Sequence, residues 1–133
     1  MTATRVASNV RLKRVYEPAS PDDGYRVLAT RYWPRGVRKD VADEYTTKVA
    51  PSRQLLREFK HENLSWEAYT SLYMDEMCTE EARSEIRRLA DIAKSRTITL
   101  MCVCEDENRC HRSLVKQLVI ESMMLDQVQG ARP

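Results

Sequence analysis

Cys102, Cys104, Cys110 and His111 fall within ten residues of a 133-residue chain that holds only four cysteines and two histidines. They belong to Thr97–Arg112, TITLMCVCEDENRCHR, which reads as a buried strand, an acidic turn and a Cys-His-Arg cluster opening a helix. A strand-loop-helix junction presents unpaired backbone N–H groups and the positive end of a helix dipole, so it suits an anion. A thiol at a helix start also ionises more readily. Cys110, between Arg109 and Arg112 with Asn108 as candidate cap, is therefore the candidate nucleophile or redox thiol. It is expected to alkylate faster than Cys78, Cys102 or Cys104, although Glu105, Asp106 and Glu107 push the other way. The structural alternative is a small packed residue, because cysteine is often simply buried.

His111 is the adjacent candidate for proton transfer. His61 is a second, able to serve as general acid or base from across a cleft. Near a helix end, however, a cationic histidine is welcome without catalytic duty. The spacing argues against a thiol phosphatase loop, which needs an arginine six residues after its cysteine. From Cys104 that position is Cys110. Thiolates and imidazole together suit zinc or iron. Against a metal, the pattern is C-x-C-x5-C-H rather than the common C-x2-C turn, and neighbouring side chains on a helix diverge by about 100°. No metal and no cofactor is assigned.

Arg31, Arg35 and Arg112 have the planar forked donors that grip phosphate or carboxylate. Trp33 between them could stack on a base or plug the core. Pro34 and Gly36 break the strand before them, the glycine permitting an unusual turn.

The bulk composition narrows the classes. At 133 residues with 42% hydrophobic and 32% charged content, the chain suits one soluble domain with its own core. A net charge of +2 does not by itself indicate nucleic acid. Basic residues are locally concentrated at 11–14 and 26–39, which as readily makes a solvated face. No apolar run is long enough for a membrane span, and the N-terminus lacks the apolar core of a signal peptide. A cytoplasmic protein with reduced thiols is expected. Cys102 and Cys104, two apart on one strand, point the same way and are poorly placed to bond.

The elements that must position these residues are legible by pattern. Val10–Tyr16, Tyr25–Tyr32 and Thr97–Cys104 read as strands, and the 37–50 region leaves room for a fourth. Ser52, Ser65 and Thr79 are candidate caps for three helices, and a last helix carries Leu114, Val115, Leu118 and Val119. The fold expected is a small three-layer α/β sheet-and-helix domain with a mostly parallel sheet, spanning 10–125, with flexible tails at 1–9 and 126–133. Parallel strands would bring Trp33–Gly36 and Asn108–Arg112 to the same sheet edge, where open α/β sheets place ligands.

Three separate blocks carry a family resemblance: YEPASPDDGYRVLATRYWPRG (Tyr16–Gly36), VAPSRQLLREFKH (Val49–His61) and the strand ending in CEDENRCHR. From about Lys13 to Met123 the chain resembles the YeaO-like family (domain of unknown function 488), in its Cys-His-Arg branch. The resemblance implies a compact α/β domain and no particular activity. The family pattern falls on Arg14 and Tyr16, on Gly24, Arg26 and Arg31, and on Trp33 to Gly36. It continues on Ala50, Pro51, Ser52, Leu56, Phe59 and His61. Arg14, Tyr16 and Gly36 thereby join the candidate ligand residues. Thr30 departs from the pattern where an aspartate is usual, and Tyr45 where a tryptophan is.

The combined expectation is an anion-binding cleft for a small phosphorylated or nucleotide-like ligand, held by Arg31, Arg35 and Arg112. Cys110 or His111 would perform any covalent or proton-transfer step. A non-catalytic nucleic-acid or nucleotide-binding module, extended by Arg14, Arg26, Arg38 and Lys39, is one alternative. A metal or redox sensor built on the cysteines is another.

Overall fold

The computed structural model describes residues 9–103 and 110–130. Cys104, the acidic trio, Asn108 and Arg109 therefore lie outside the described residues. Four strands, β1 (Val10–Arg14), β2 (Tyr25–Ala29), β3 (Glu44–Thr46) and β4 (Ile98–Cys102), form one sheet in the order β1-β4-β2-β3. Every pair is parallel, with Arg14 opposite Cys102 and Leu28 opposite Met101 in register. β3 is the strand for which the 37–50 region left room.

β4 lies between β1 and β2, and all five of its residues are buried. This is why its sequence is almost continuously apolar instead of alternating. Its alternate residues feed two cores. Ile98 and Leu100, with Val10, Val27 and Ala29, pack against Leu89, Ala93, Val115 and Val119 of the helices. Met101, with Val15 and Leu28, packs against Val37, Val41 and Ala42. The third layer is thus thin, because the β2–β3 crossover is a loop with one short 3-10 turn at Lys39–Val41 instead of an α-helix.

The helical layer consists of α1 (Arg53–His61), α2 (Trp66–Glu76), α3 (Glu80–Ser95) and α4 (His111–Gly130). Ser52, Ser65 and Thr79 cap the first three, accepting from the N–H groups of Leu55, Ala68 and Ala82. Each cap satisfies one of the donors that a helix start leaves unpaired. α4 continues to Gly130, into the stretch whose polarity suggested a tail; nothing between Asp126 and Gln129 breaks a helix. Asn9 is also tied down, its side chain donating to the Ala93 carbonyl at 2.8 Å and its own carbonyl accepting from Ile98. Among the described residues no helix is long and apolar enough to cross a membrane.

Candidate functional site

β2 stops at Ala29 and β4 at Cys102, and α4 starts at His111 beside them. The loop 30–35 from β2, the Pro51 turn and the start of α4 enclose a cleft of about 570 Å³. Tyr16, Arg31, Trp33, Arg35, Cys110 and His111 all line it. Of the two loops expected to converge at one sheet edge, Trp33, Pro34 and Arg35 share this cleft with Cys110 and His111, at the ends of the parallel strands β2 and β4, while Asn108 and Arg109 lie outside the described residues.

His111 is 5% exposed, and its Nε2 lies 2.6 Å from the Ala29 carbonyl oxygen. A carbonyl only accepts, so Nε2 carries a proton, and in the neutral ring Nδ1 presents its lone pair. That lone pair faces the Cys110 sulfur at 3.8 Å. The tautomer is therefore set by the last residue of β2, and the ring cannot turn without breaking this bond. The Cys110 sulfur is itself 2.8 Å from the sulfur of Cys102. Cys110 precedes α4 instead of lying on it, so the 100° divergence of neighbouring helical side chains does not separate it from His111. Cys102, Cys110 and His111 offer ligand atoms that all lie within 4.8 Å of one another.

The burial of this cluster bears on the expected order of thiol reactivity. Cys110 is 1% exposed and Cys102 is fully buried, whereas Cys78 is exposed. Burial slows the approach of an alkylating reagent, so exposed Cys78 is expected to label before Cys110.

The arginines divide. Arg35 is exposed at the cleft, as a ligand-gripping side chain must be. Arg31 reaches the wall of the cleft, but its Nε donates to the Pro51 carbonyl at 2.9 Å. Its Nη2 donates to the carbonyls of Ala50 (3.2 Å) and Thr47 (3.3 Å). It is a clamp on the 47–51 loop. The same loop is held from behind by the Tyr73 hydroxyl, which donates to the Val49 carbonyl at 2.7 Å. Burial raises the Tyr73 pKa well above that of an ordinary phenol, which keeps this donor protonated. Arg31→Ala should destabilise the fold by about 2 kcal/mol, since it strips donors from three carbonyls. Arg31→Lys should recover only part of that, a point charge being unable to reproduce the fork. Urea unfolding of both variants reads the difference, and an Arg31→Ala midpoint equal to the native one would refute the clamp.

Arg112 does not line the cleft. It is 3% exposed, with Nη1 3.5 Å from the Cys102 sulfur, and its buried Nε has no partner among the described residues. Arg14 resembles it: Nη2 donates to the Val103 carbonyl at 3.4 Å, and its Nε is likewise buried without a partner. Its guanidinium also sits 5.4 Å from the centre of the Tyr16 ring, which does line the cleft. Both side chains reach the end of β4, Arg14 at Val103 and Arg112 at Cys102, and neither lines the cleft.

Trp33 is at the rim rather than in the core. It is 38% exposed, its indole N–H donates to the Val37 carbonyl at 2.9 Å, and Tyr45 meets it edge-on at 5.3 Å. Position 45 thus steadies Trp33, a duty either large aromatic can perform. Gly36, at φ 76°, serves the turn and does not line the cleft. His61 is exposed in the last turn of α1 and also lies outside the cleft. Its neighbour Lys60 lines the cleft instead, as do Tyr32 and Thr30. Lys60 could have been found only by knowing which face of α1 meets the sheet edge. Thr30, buried with its hydroxyl donating to the Tyr32 carbonyl at 2.7 Å, puts a neutral group where the family pattern has a carboxylate.

A family model described as the active DUF488-N3 subclade matches residues 10–123, nearly the whole of the described domain. The chain belongs to the YeaO-like DUF488 family. YeaO of Escherichia coli K12 is 39% identical over 105 residues, covering 77% of this chain and 90% of that protein. Rv3073c of Mycobacterium tuberculosis H37Rv is 34% identical over 114 residues, covering 84% of this chain and 94% of the relative. Mb3100c of Mycobacterium bovis is similar to the same extent. No solved structure matches the chain.

Proposed function

We propose that the cleft at the C-terminal edge of the sheet binds a small phosphorylated or nucleotide-like ligand. The observation that carries this reading is the single cleft that joins an exposed arginine and an exposed tryptophan to the buried Cys110–His111 pair. Arg35 and Lys60 are the cations placed to hold the anionic part. Trp33 and Tyr16 offer flat apolar faces to a base or sugar. Arg112, buried, and Arg14, half-buried with its Nε out of solvent, add positive potential near the end of β4 that solvent screens poorly. His111 and Cys110 are the groups placed for a proton-transfer or covalent step. The description of the matching subclade as active accords with a chemical step.

The nucleic-acid alternative loses much of its basic surface. Arg26 is held by Asp23 and by the Val41 carbonyl, and Arg14 is half-buried, which leaves Arg38 and Lys39 exposed. A continuous phosphate track is what such a module would need.

Calorimetric titration with AMP and with inorganic phosphate tests the proposal. Arg35→Ala should weaken both by about 1.5–3 kcal/mol, the size of a charge-assisted hydrogen bond, while the exposed position leaves folding intact. Trp33→Ala should weaken AMP and spare phosphate. No heat with either ligand at millimolar concentration, or an unchanged affinity in Arg35→Ala, would sink the reading.

A further inference from the structure

We infer that Cys102, Cys110 and His111 form a binding site for a divalent transition metal, zinc by the softness of its donors, with the fourth position open to the cleft. Two sulfurs and one imidazole nitrogen within 4.8 Å of one another match the donor set and number of an open zinc site. The elements that carry them are fixed. Cys102 ends the buried central strand, Cys110 immediately precedes α4 and His111 opens it, so the ligands come from that strand and from the start of the helix.

The surroundings of the three ligands support a metal more specifically than their proximity does. A metal-binding histidine nearly always donates its other ring N–H to a carbonyl or carboxylate, which aims the remaining lone pair. His111 does this: Nε2–H is held by the Ala29 carbonyl, and the Nδ1 lone pair looks toward Cys110. A metal-bound thiolate likewise accepts hydrogen bonds that temper its charge. Arg112 Nη1 points at the Cys102 sulfur from 3.5 Å. Zinc–sulfur bonds of about 2.3 Å at a tetrahedral angle put two sulfurs roughly 3.8 Å apart. The observed 2.8 Å separation therefore has to open by a small side-chain adjustment as the metal enters.

The charge count fits the cleft as well. Two thiolates neutralise a divalent ion, and Arg112 leaves the cluster with one net positive charge. Because Cys110 and His111 line the cleft, the vacant position faces the same space as Arg35. An anion could complete the coordination there. The metal site does not depend on the anion reading, and each has its own measurement.

Cobalt substitution tests the inference on the full chain, reduced and kept free of oxygen. One Co2+ per chain should bind, with the strong visible bands of a tetrahedral site and the near-ultraviolet charge-transfer bands of cobalt–thiolate bonds. Zinc should displace it. Cys110→Ser and His111→Ala should each weaken cobalt binding at least tenfold, and Cys78→Ser, remote from the cluster, should bind like the native chain. Native protein that takes up no cobalt above a matched chelator, or that shows octahedral bands without thiolate charge transfer, overturns the site. So does a reduced chain that forms a Cys102–Cys110 disulfide on exposure to air while excess zinc is present. Should a variant fail to fold by circular dichroism, the native titration still decides through its stoichiometry and charge-transfer bands.

Discussion

Gly24→Ala should cost about 4 kcal/mol of folding stability, enough to unfold a large fraction of a marginal domain. Gly24 has φ 63° and ψ −130°, a combination that side-chain-bearing residues hardly adopt. A Cβ there would also lie 2.3 Å from the Thr97 carbonyl oxygen, which is backbone and cannot rotate away. That carbonyl accepts from the Tyr25 N–H at 2.8 Å, the bond that opens the β2–β4 ladder. A methyl group therefore pries apart the two strands whose far ends carry Ala29 and Cys102. Backbone strain supplies about 1–3 kcal/mol and the clash the rest. Urea unfolding measures it, and a loss below about 1 kcal/mol would mean that the β2–β4 junction yields easily.

Asp23→Ala should destabilise the fold at neutral pH by about 3 kcal/mol, the cost of removing one partner from a buried ion pair. The Asp23 carboxylate accepts from Lys13 at 3.0 Å, from Arg26 and from the Ser20 N–H at 3.0 Å, and its side chain is 2% exposed. Its own carbonyl accepts from the Thr99 hydroxyl at 2.6 Å, so the residue ties β1, β2 and β4 together. Burial alone would push the carboxyl up. The Ser20 N–H and the Lys13 and Arg26 cations outweigh it and hold the group below the usual aspartate value. A depressed folded-state pKa contributes stability above the unfolded value of about 3.9 and loses it as pH falls through the lower folded value. The gap between native and Asp23→Ala stability should therefore be full at pH 7 and shrink in acid below about pH 4. Unfolding midpoints across that range read it directly. A gap that stays constant with pH would show that the charge of Asp23 contributes nothing.

These two neighbouring residues sit at the opposite end of the sheet from the cleft, yet they set the register that brings the cleft together. Gly24 and Arg26 belong to the sequence pattern shared with the family, and Asp23 stands in the turn beside them. None lines the cleft; their contacts serve strand pairing, as those of Arg31 serve its grip on the 47–51 loop.

The sequence by itself determined the secondary elements, because each depends on neighbours in the chain. Ser52, Ser65 and Thr79 cap because a hydroxyl reaches an N–H three residues on, a local relation that spacing reveals. The continuous apolar run of β4 announced a central strand, since burial on both faces leaves no polar position. The start of α4 just after that strand was legible too, as was the placing of Trp33–Arg35 beside Cys110 and His111 once the strands were taken as parallel. The tertiary structure alone decided which side chains face the cleft. Arg31 and Arg35, four residues apart in one loop, took opposite duties because backbone carbonyls from the 47–51 loop lay within reach of one and water within reach of the other. Arg112 turned inward onto Cys102, His61 turned outward, and Lys60 reached the cleft. Cys110 stepped off the helix, which let it meet both Cys102 and His111. Contacts between residues far apart in the chain depend on the packing of whole elements, and a one-dimensional pattern records the elements but not the angle at which each helix meets the sheet.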